Sequence, residues 1–178
     1  MSLFWINGGK MIKSKGWDWK IVKDDIDCPW KIPSVESYYL LNRWENLNFK
    51  NFLDLGCGLG RHTVLFAKNG FNVSGFDISK EGIKKTKEWL KNLDLKADLK
   101  VGDMLDLPYE NEYFDCILCR NVISHQDTEG VKQIIKELYR VLKNNGECYL
   151  TLGSKSTWGF KQDSWPLVDE NTRLRMEE

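Results

Sequence analysis

The 178-residue chain has no apolar run approaching the ~18 residues that a bilayer crossing needs, and no cleavable leader pattern opens it. A membrane-spanning or exported protein is thereby disfavoured, and a cytoplasmic one expected. An excess charge of one sign is also missing. Lysine and arginine number 26 and so do aspartate and glutamate, leaving no general basicity to favour nucleic acid. The cysteines, Cys28, Cys57, Cys116, Cys119 and Cys148, are odd in number and scattered, unlike a disulfide framework. Cys116 and Cys119 do form a CxxC, but within the apolar stretch YFDCILC, where residues three apart on a strand face opposite sides. No second pair completes a ligand set, so core thiols are expected and no metal. What remains is ordinary for one globular domain, with 42% hydrophobic and 29% charged residues.

Against this background one segment stands out, Phe52 to His62, reading FLDLGCGLGRH. A short apolar stretch ends at Asp54, then Gly56, Gly58 and Gly60 alternate, and a helical apolar pattern resumes from Thr63. Strand, glycine loop and helix let the backbone pass close beneath a nucleotide-like ligand, because no Cβ intervenes. The spacing is GxGxG rather than GxGxxG, with Arg61 where a dinucleotide fold has its third glycine. No GKS or GKT follows, which excludes a P-loop. An acidic entry to the loop opposes a pyrophosphate and suits a ligand bearing ammonium or sulfonium charge. An NAD-dependent enzyme is weakened on both counts.

Downstream, strands and helices alternate. Strands are predicted near 51–55, 71–76, 97–101, 113–119 and 147–152, and helices near 60–69, 80–92 and 128–143. Gly70 and Gly146 stand where helix ends favour a left-handed residue. This alternation predicts an α/β, doubly wound, mainly parallel sheet, with ligands bound outside the carboxyl ends of its strands. Asp77 closes the second strand in SGFDIS, where an acidic side chain can accept bonds from both ribose hydroxyls. A helix-capping role for Asp77 is the competing reading. Asp103 follows the third strand in LKVGDMLDLP, with Met104 next and Asp106 as a competing acid.

DLGCGLG, with Asp77 and Asp103 in order and spacing over residues 51 to about 152, resembles the class I S-adenosylmethionine-dependent methyltransferases. The resemblance implies a Rossmann-like methyltransferase fold and S-adenosyl-L-methionine as cofactor. It implies that Asp54, Gly56, Gly58 and Gly60 seat the methionine part. Asp103 would take the adenine amino group, with Met104 and Ile78 packing on the ring. Asn121, after the fourth strand, would lie beside the methionine part and the transferring methyl. Asn121 and His125 are the weak catalytic candidates, His125 as a base or as a residue orienting substrate. His62 reads as structural or as a neighbour of the cofactor. Methyl transfer from a sulfonium is a direct displacement, so the protein mainly holds methyl and acceptor in line, and a base is needed only where the acceptor loses a proton. That explains a cofactor site without a catalytic triad.

The flanks divide the chain into an aromatic-rich N-terminal cap and helix over 1–50, a cofactor-binding core over 51–152 and a tail over 153–178. Ser34 is expected to cap a helix through about Leu47, with Val35, Tyr38, Leu41 and Leu47 on one face. Trp17, Trp30, Tyr38 and Arg43 are substrate candidates, either closing over the site or merely packing on the core. Neutral charge and aromatic content favour a small-molecule acceptor over nucleic acid. Family members normally continue past the fifth strand with a helix and two more strands, so the sheet is expected to lack its last two strands. Either the tail or a second copy of the chain, as a homodimer, is expected to cover the fifth strand's edge. The alternative function is a cofactor-binding module, or a truncated fragment, without turnover.

Overall fold

The chain is described by a computed structural model over residues 17–20, 22, 28–157 and 160–173. Five parallel strands build its sheet: β1 (Asn51–Leu55), β2 (Asn72–Asp77), β3 (Asp98–Val101), β4 (Phe114–Cys119) and β5 (Leu142–Leu150). Their order is β3-β2-β1-β4-β5. The chain starts in the middle, winds outward through β2 and β3, then crosses back beside β1. The reversal places a crevice at the carboxyl ends of β1 and β4. Central parallel strands are covered on both faces, which is why β1 and β4 read as nearly unbroken apolar runs. Alternate residues serve opposite layers. Phe52, Cys116 and Leu118 face one cluster, while Leu53, Ile117 and Cys119 face the other. The CxxC thiols are therefore buried on opposite sides of the sheet, and burial pushes both well above their ordinary range.

The helices are α1 (Val35–Asn46), α2 (Arg61–Lys68), α3 (Lys80–Asn92) and α4 (Thr128–Val141). α4 lays Ile134, Leu138 and Val141 on one face of the sheet. α1 and α2 cover the other with Leu40, Leu41, Trp44 and Phe66. Among the described residues no helix is long and apolar enough to cross a membrane.

The expected apolar face of α1 is corrected. Val35 is 85% exposed and Tyr38 52%, and Leu47 lies beyond the helix, whereas Ser37, Leu40, Leu41 and Trp44 are buried. Trp44 decides the phase. Its indole packs against Phe52 and Phe66, and its Nε1 donates to Glu147 Oε2 on β5 at 2.9 Å. That anchor outweighs Val35 and Tyr38, whose positions rotate to solvent.

The entry to β5 also differs. α4 stops at Val141 and β5 begins at once, pairing Leu142 with Phe114 and then Glu147 with Cys116. The extra residues form a bulge whose left-handed position is Asn145 (φ 67°), not Gly146. Gly146 answers a close approach instead, since a Cβ there would lie 2.8 Å from the Asp115 carbonyl oxygen. Gly70, with φ 77°, does take the left-handed position after α2.

The tail forms a separate antiparallel hairpin, β6 (Leu167–Asp169) and β7 (Thr172–Arg173). Among the described residues it does not pair with β5. It docks on α4 instead. Asp169 Oδ2 accepts from Thr128 N at 2.9 Å, satisfying one of the donors that every helix start leaves unpaired.

Trp44→Ala is expected to cost about 3–5 kcal/mol, combining a large cavity with a lost bond to Glu147, as read by the urea-unfolding midpoint.

Candidate functional site

The glycine loop is fixed before any ligand is considered. Gly56 N and Cys57 N both donate to Phe76 O, at 2.7 and 3.2 Å, and Thr86 Oγ1 donates to Gly58 O at 3.0 Å. Gly60 is the residue that precedes α2, with φ 84°. A Cβ there would meet Thr86 Cγ2 at 2.4 Å, so glycine is required both by conformation and by the approach of α3. At Gly58 the space belongs to the indole of Trp19, 2.6 Å from where a Cβ would stand. These glycines serve the packing of the protein as well as access beneath a ligand.

Because Gly60 has no side chain to cap α2, the cap comes from β1. Asp54 Oδ2 accepts from Thr63 N at 2.8 Å and from Thr63 Oγ1 at 2.7 Å, the bond an N-cap side chain ordinarily makes. Burial raises the Asp54 carboxyl to about 6, against the lowering effect of Thr63. His62 sits beside it, Nδ1 4.0 Å from Asp54 Oδ1. Ser34 N donates to His62 Nε2 at 3.3 Å, which assigns the ring proton to Nδ1. Burial, helped by Arg61 and Arg120, lowers His62 to about 3, so it is neutral. His62 is thus a structural hinge pin between α1 and α2.

Asp77 ends β2 facing the same crevice. Its Oδ2 accepts from Gly58 N at 2.8 Å and its Oδ1 from Ser79 N at 2.8 Å, while burial raises its pKa. The α3 cap is Ser79, whose side chain accepts from Gly82 N at 3.2 Å, so Asp77 is not spent on capping. Asp103 Oδ1 accepts from Leu105 N at 3.1 Å. Asn121, in left-handed conformation (φ 57°), is held by Thr151, which accepts from Asn121 N at 2.7 Å and bonds its Oδ1 at 3.0 Å.

One cavity of about 300 Å³ gathers these groups. Asp54, Gly56, Gly58 and Asp77 line it, as do Ile78, Asp103, Met104, Asn121 and His125. Trp17 and Trp30 also belong to its wall. Gly60 does not, being turned to α3. Tyr38 and Arg43 are not in the wall either. Arg43 Nε donates to Glu147 Oε2 at 2.8 Å, bracing α1 on β5, and Tyr38 lies on the exposed face of α1. The Trp44 anchor sets that rotation and places both residues outside this cavity wall.

Several wall residues escape a sequence reading: Trp19, Arg61, Arg120 and Gln126. Trp17, Trp19 and Trp30 form one aromatic cluster with ring centroids 5.7–6.5 Å apart. Lys85 Nζ holds this segment to α3 by donating to Trp19 O at 2.8 Å. Trp19 Nε1 is buried without a partner among the described residues. The one available signal for the arginines was position, since Arg61 opens α2 and Arg120 directly follows β4. Both stand at the carboxyl ends of neighbouring strands.

His62 gives the site a pH signature. Its folded pKa lies far below the ordinary 6.5, so below that value the unfolded chain binds a proton that the folded one refuses. Stability from this group is present above 6.5 and lost as pH falls. Asp54, raised from 3.8, works in the opposite sense between about 4 and 6 in both proteins and so drops out of a comparison with His62→Gln. The stability advantage of wild type over His62→Gln should shrink by about 2 kcal/mol between pH 7 and 5, measured by urea unfolding. A constant difference would contradict a neutral buried imidazole.

Residues 52–146, just over half of the chain, match the methyltransferase domain family. Norajmaline N-methyltransferase of Rauvolfia serpentina is 40% identical over 96 residues, which are 52% of this chain and 32% of that protein. Demethylmenaquinone methyltransferase of Lactobacillus johnsonii is 30% identical over 129 residues, 65% of this chain and 52% of that protein. The chain thus spans about a third to a half of the length of these curated relatives. A crystal structure of an S-adenosylmethionine-dependent methyltransferase from Methanosarcina mazei superposes with a TM-score of 0.54 at 32% identity, covering 56% of this chain and 50% of that one. Sheet order, the loop between β1 and α2 and these matches agree: the chain belongs to the class I S-adenosylmethionine-dependent methyltransferase family.

Proposed function

We propose that the cavity at the carboxyl ends of β1, β2 and β4 binds S-adenosyl-L-methionine and that the whole protein transfers its methyl group to a small-molecule acceptor. The observation that carries this reading is Asp77. Each of its oxygens accepts one backbone N–H, from Gly58 and from Ser79, and each keeps a lone pair for a ribose hydroxyl. The two backbone bonds orient the carboxylate in advance, so little ordering is left to binding. Asp103 receives the adenine amino group, and Ile78 and Met104 supply the flat apolar contacts that the ring needs. The loop from Gly56 to Gly58 passes beneath the methionine part.

The chemistry supplied by the cofactor is an electrophilic methyl on a sulfonium. Displacement there requires alignment of the acceptor more than proton transfer. Asn121 sits in the crevice with its carbonyl oxygen fixed by Thr151, which leaves its amide N–H groups for a ligand. His125, exposed at the rim, is the group placed to take a proton from an acceptor that must lose one. The relatives named for norajmaline and demethylmenaquinone act on small molecules, which supports a small acceptor here.

Calorimetric titration with S-adenosylmethionine is the direct test. Asp77→Ala should weaken binding by about tenfold or more, since it removes bonds to a charged acceptor. Unchanged affinity would sink the ribose assignment. Formation of S-adenosylhomocysteine in the presence of amines, phenols, thiols and quinols then reads turnover.

A further inference from the structure

We propose that Arg61 and Arg120 form a receiving site for a ligand carboxylate in this cavity. The inference rests on the cavity assigned above and deepens it. Both arginines line the cavity, and each lacks a full complement of partners among the described residues. Arg61 Nη1 reaches only the Ile32 carbonyl, at 3.4 Å, and its guanidinium lies over the Trp30 ring 5.8 Å from the centroid. Arg120 Nε is buried without a hydrogen-bond partner among the described residues. The carboxylate beside it, Glu36, stands 3.6 Å from that nitrogen, beyond hydrogen-bond reach, and its side chain is 44% exposed.

Among the described residues no acid of the cavity is hydrogen-bonded to either guanidinium, although Asp54 attracts Arg61 through space. Asp54 is bonded twice by Thr63, and Asp77 by Gly58 and Ser79. His62 is neutral and adds no charge of either sign. Among the described residues Glu36 is the carboxylate within 4 Å of Arg120. Asp54 and Glu36 attract Arg61 without a hydrogen bond to it, and repulsion from Arg120 adds to the burial that lowers Arg61. Partly buried charge of this kind is costly until paired. A carboxylate is the fitting guest, because its two oxygens match the donor fork of a guanidinium. That carboxylate belongs either to the amino-acid end of the cofactor or to an acidic acceptor, and the binding chemistry is the same.

Three probes separate these sources: S-adenosylhomocysteine, 5′-methylthioadenosine (which lacks the amino-acid end) and benzoate. Each is titrated into wild type, Arg61→Gln and Arg120→Gln, with benzoate added to protein saturated with S-adenosylhomocysteine. A loss of about tenfold or more for S-adenosylhomocysteine, with less than about a twofold change for methylthioadenosine, identifies the cofactor's carboxylate. Retained methylthioadenosine binding also shows that the variants are folded. Unchanged S-adenosylhomocysteine binding with loss of benzoate binding identifies an acidic acceptor and equally supports the site. Variants that bind all three probes as wild type does, or that lose both nucleosides in equal measure, overturn it. Should wild type bind neither nucleoside, the cofactor reading falls, and benzoate titrated into the free protein still decides whether the arginines receive a carboxylate.

Discussion

The carboxylate of Asp54 is where strand becomes loop and loop becomes helix. It leaves β1, is buried at once, and takes both the backbone and the hydroxyl of Thr63 three residues into α2. Gly60 cannot cap that helix, and an uncapped start buried beside the sheet would leave donors unpaired. The bond fixes α2, and with it Arg61 and His62, relative to β1. It also fixes the loop that precedes the helix, so Gly58 presents its N–H to Asp77 and its carbonyl to Thr86. One buried acid thereby sets the relation of β1, β2, α2 and α3 around the crevice. Its raised pKa is a consequence of the same burial.

Charge in the crevice is arranged by what each group has already been given. Asp77 is held by backbone donors yet keeps acceptor capacity, while Asp54 is absorbed by structure. The imidazole of His62 is kept neutral by burial and by two neighbouring arginines. The arginines keep donors that no described residue fills. A cavity with acceptors at Asp77 and Asp103 and surplus donors at Arg61 and Arg120 suits a ligand carrying both hydroxyls and an anion. The tryptophans of the N-terminal segment form its apolar side, pinned to α3 through Lys85.

Much of this was legible from local pattern. The apolar runs at Phe52–Leu55 and Phe114–Cys119 announce buried parallel strands, because period and composition are properties of short segments. The loop spacing and the position of Asp77 pointed to the crevice for the same reason. The errors all lie where a distant partner decides. α1 has several plausible apolar faces, and only Glu147 and the aromatic stack chose the one with Trp44. Arg43 became a brace by that choice. The left-handed position fell at Asn145 rather than Gly146 because a bulge against β4 cannot be read from α4 alone.

The sequence by itself determined the strand–helix alternation, the glycine loop and the acids at or just past the carboxyl ends of β1, β2 and β3, since each depends on neighbours a few residues away. Tertiary structure alone decided that Asp54 caps α2, that the hairpin of the tail docks on α4 rather than β5, and that Arg61 and Arg120 face one cavity. Those outcomes depend on contacts between segments far apart in the chain. Burial and the demand for paired donors select among them only once the sheet has closed.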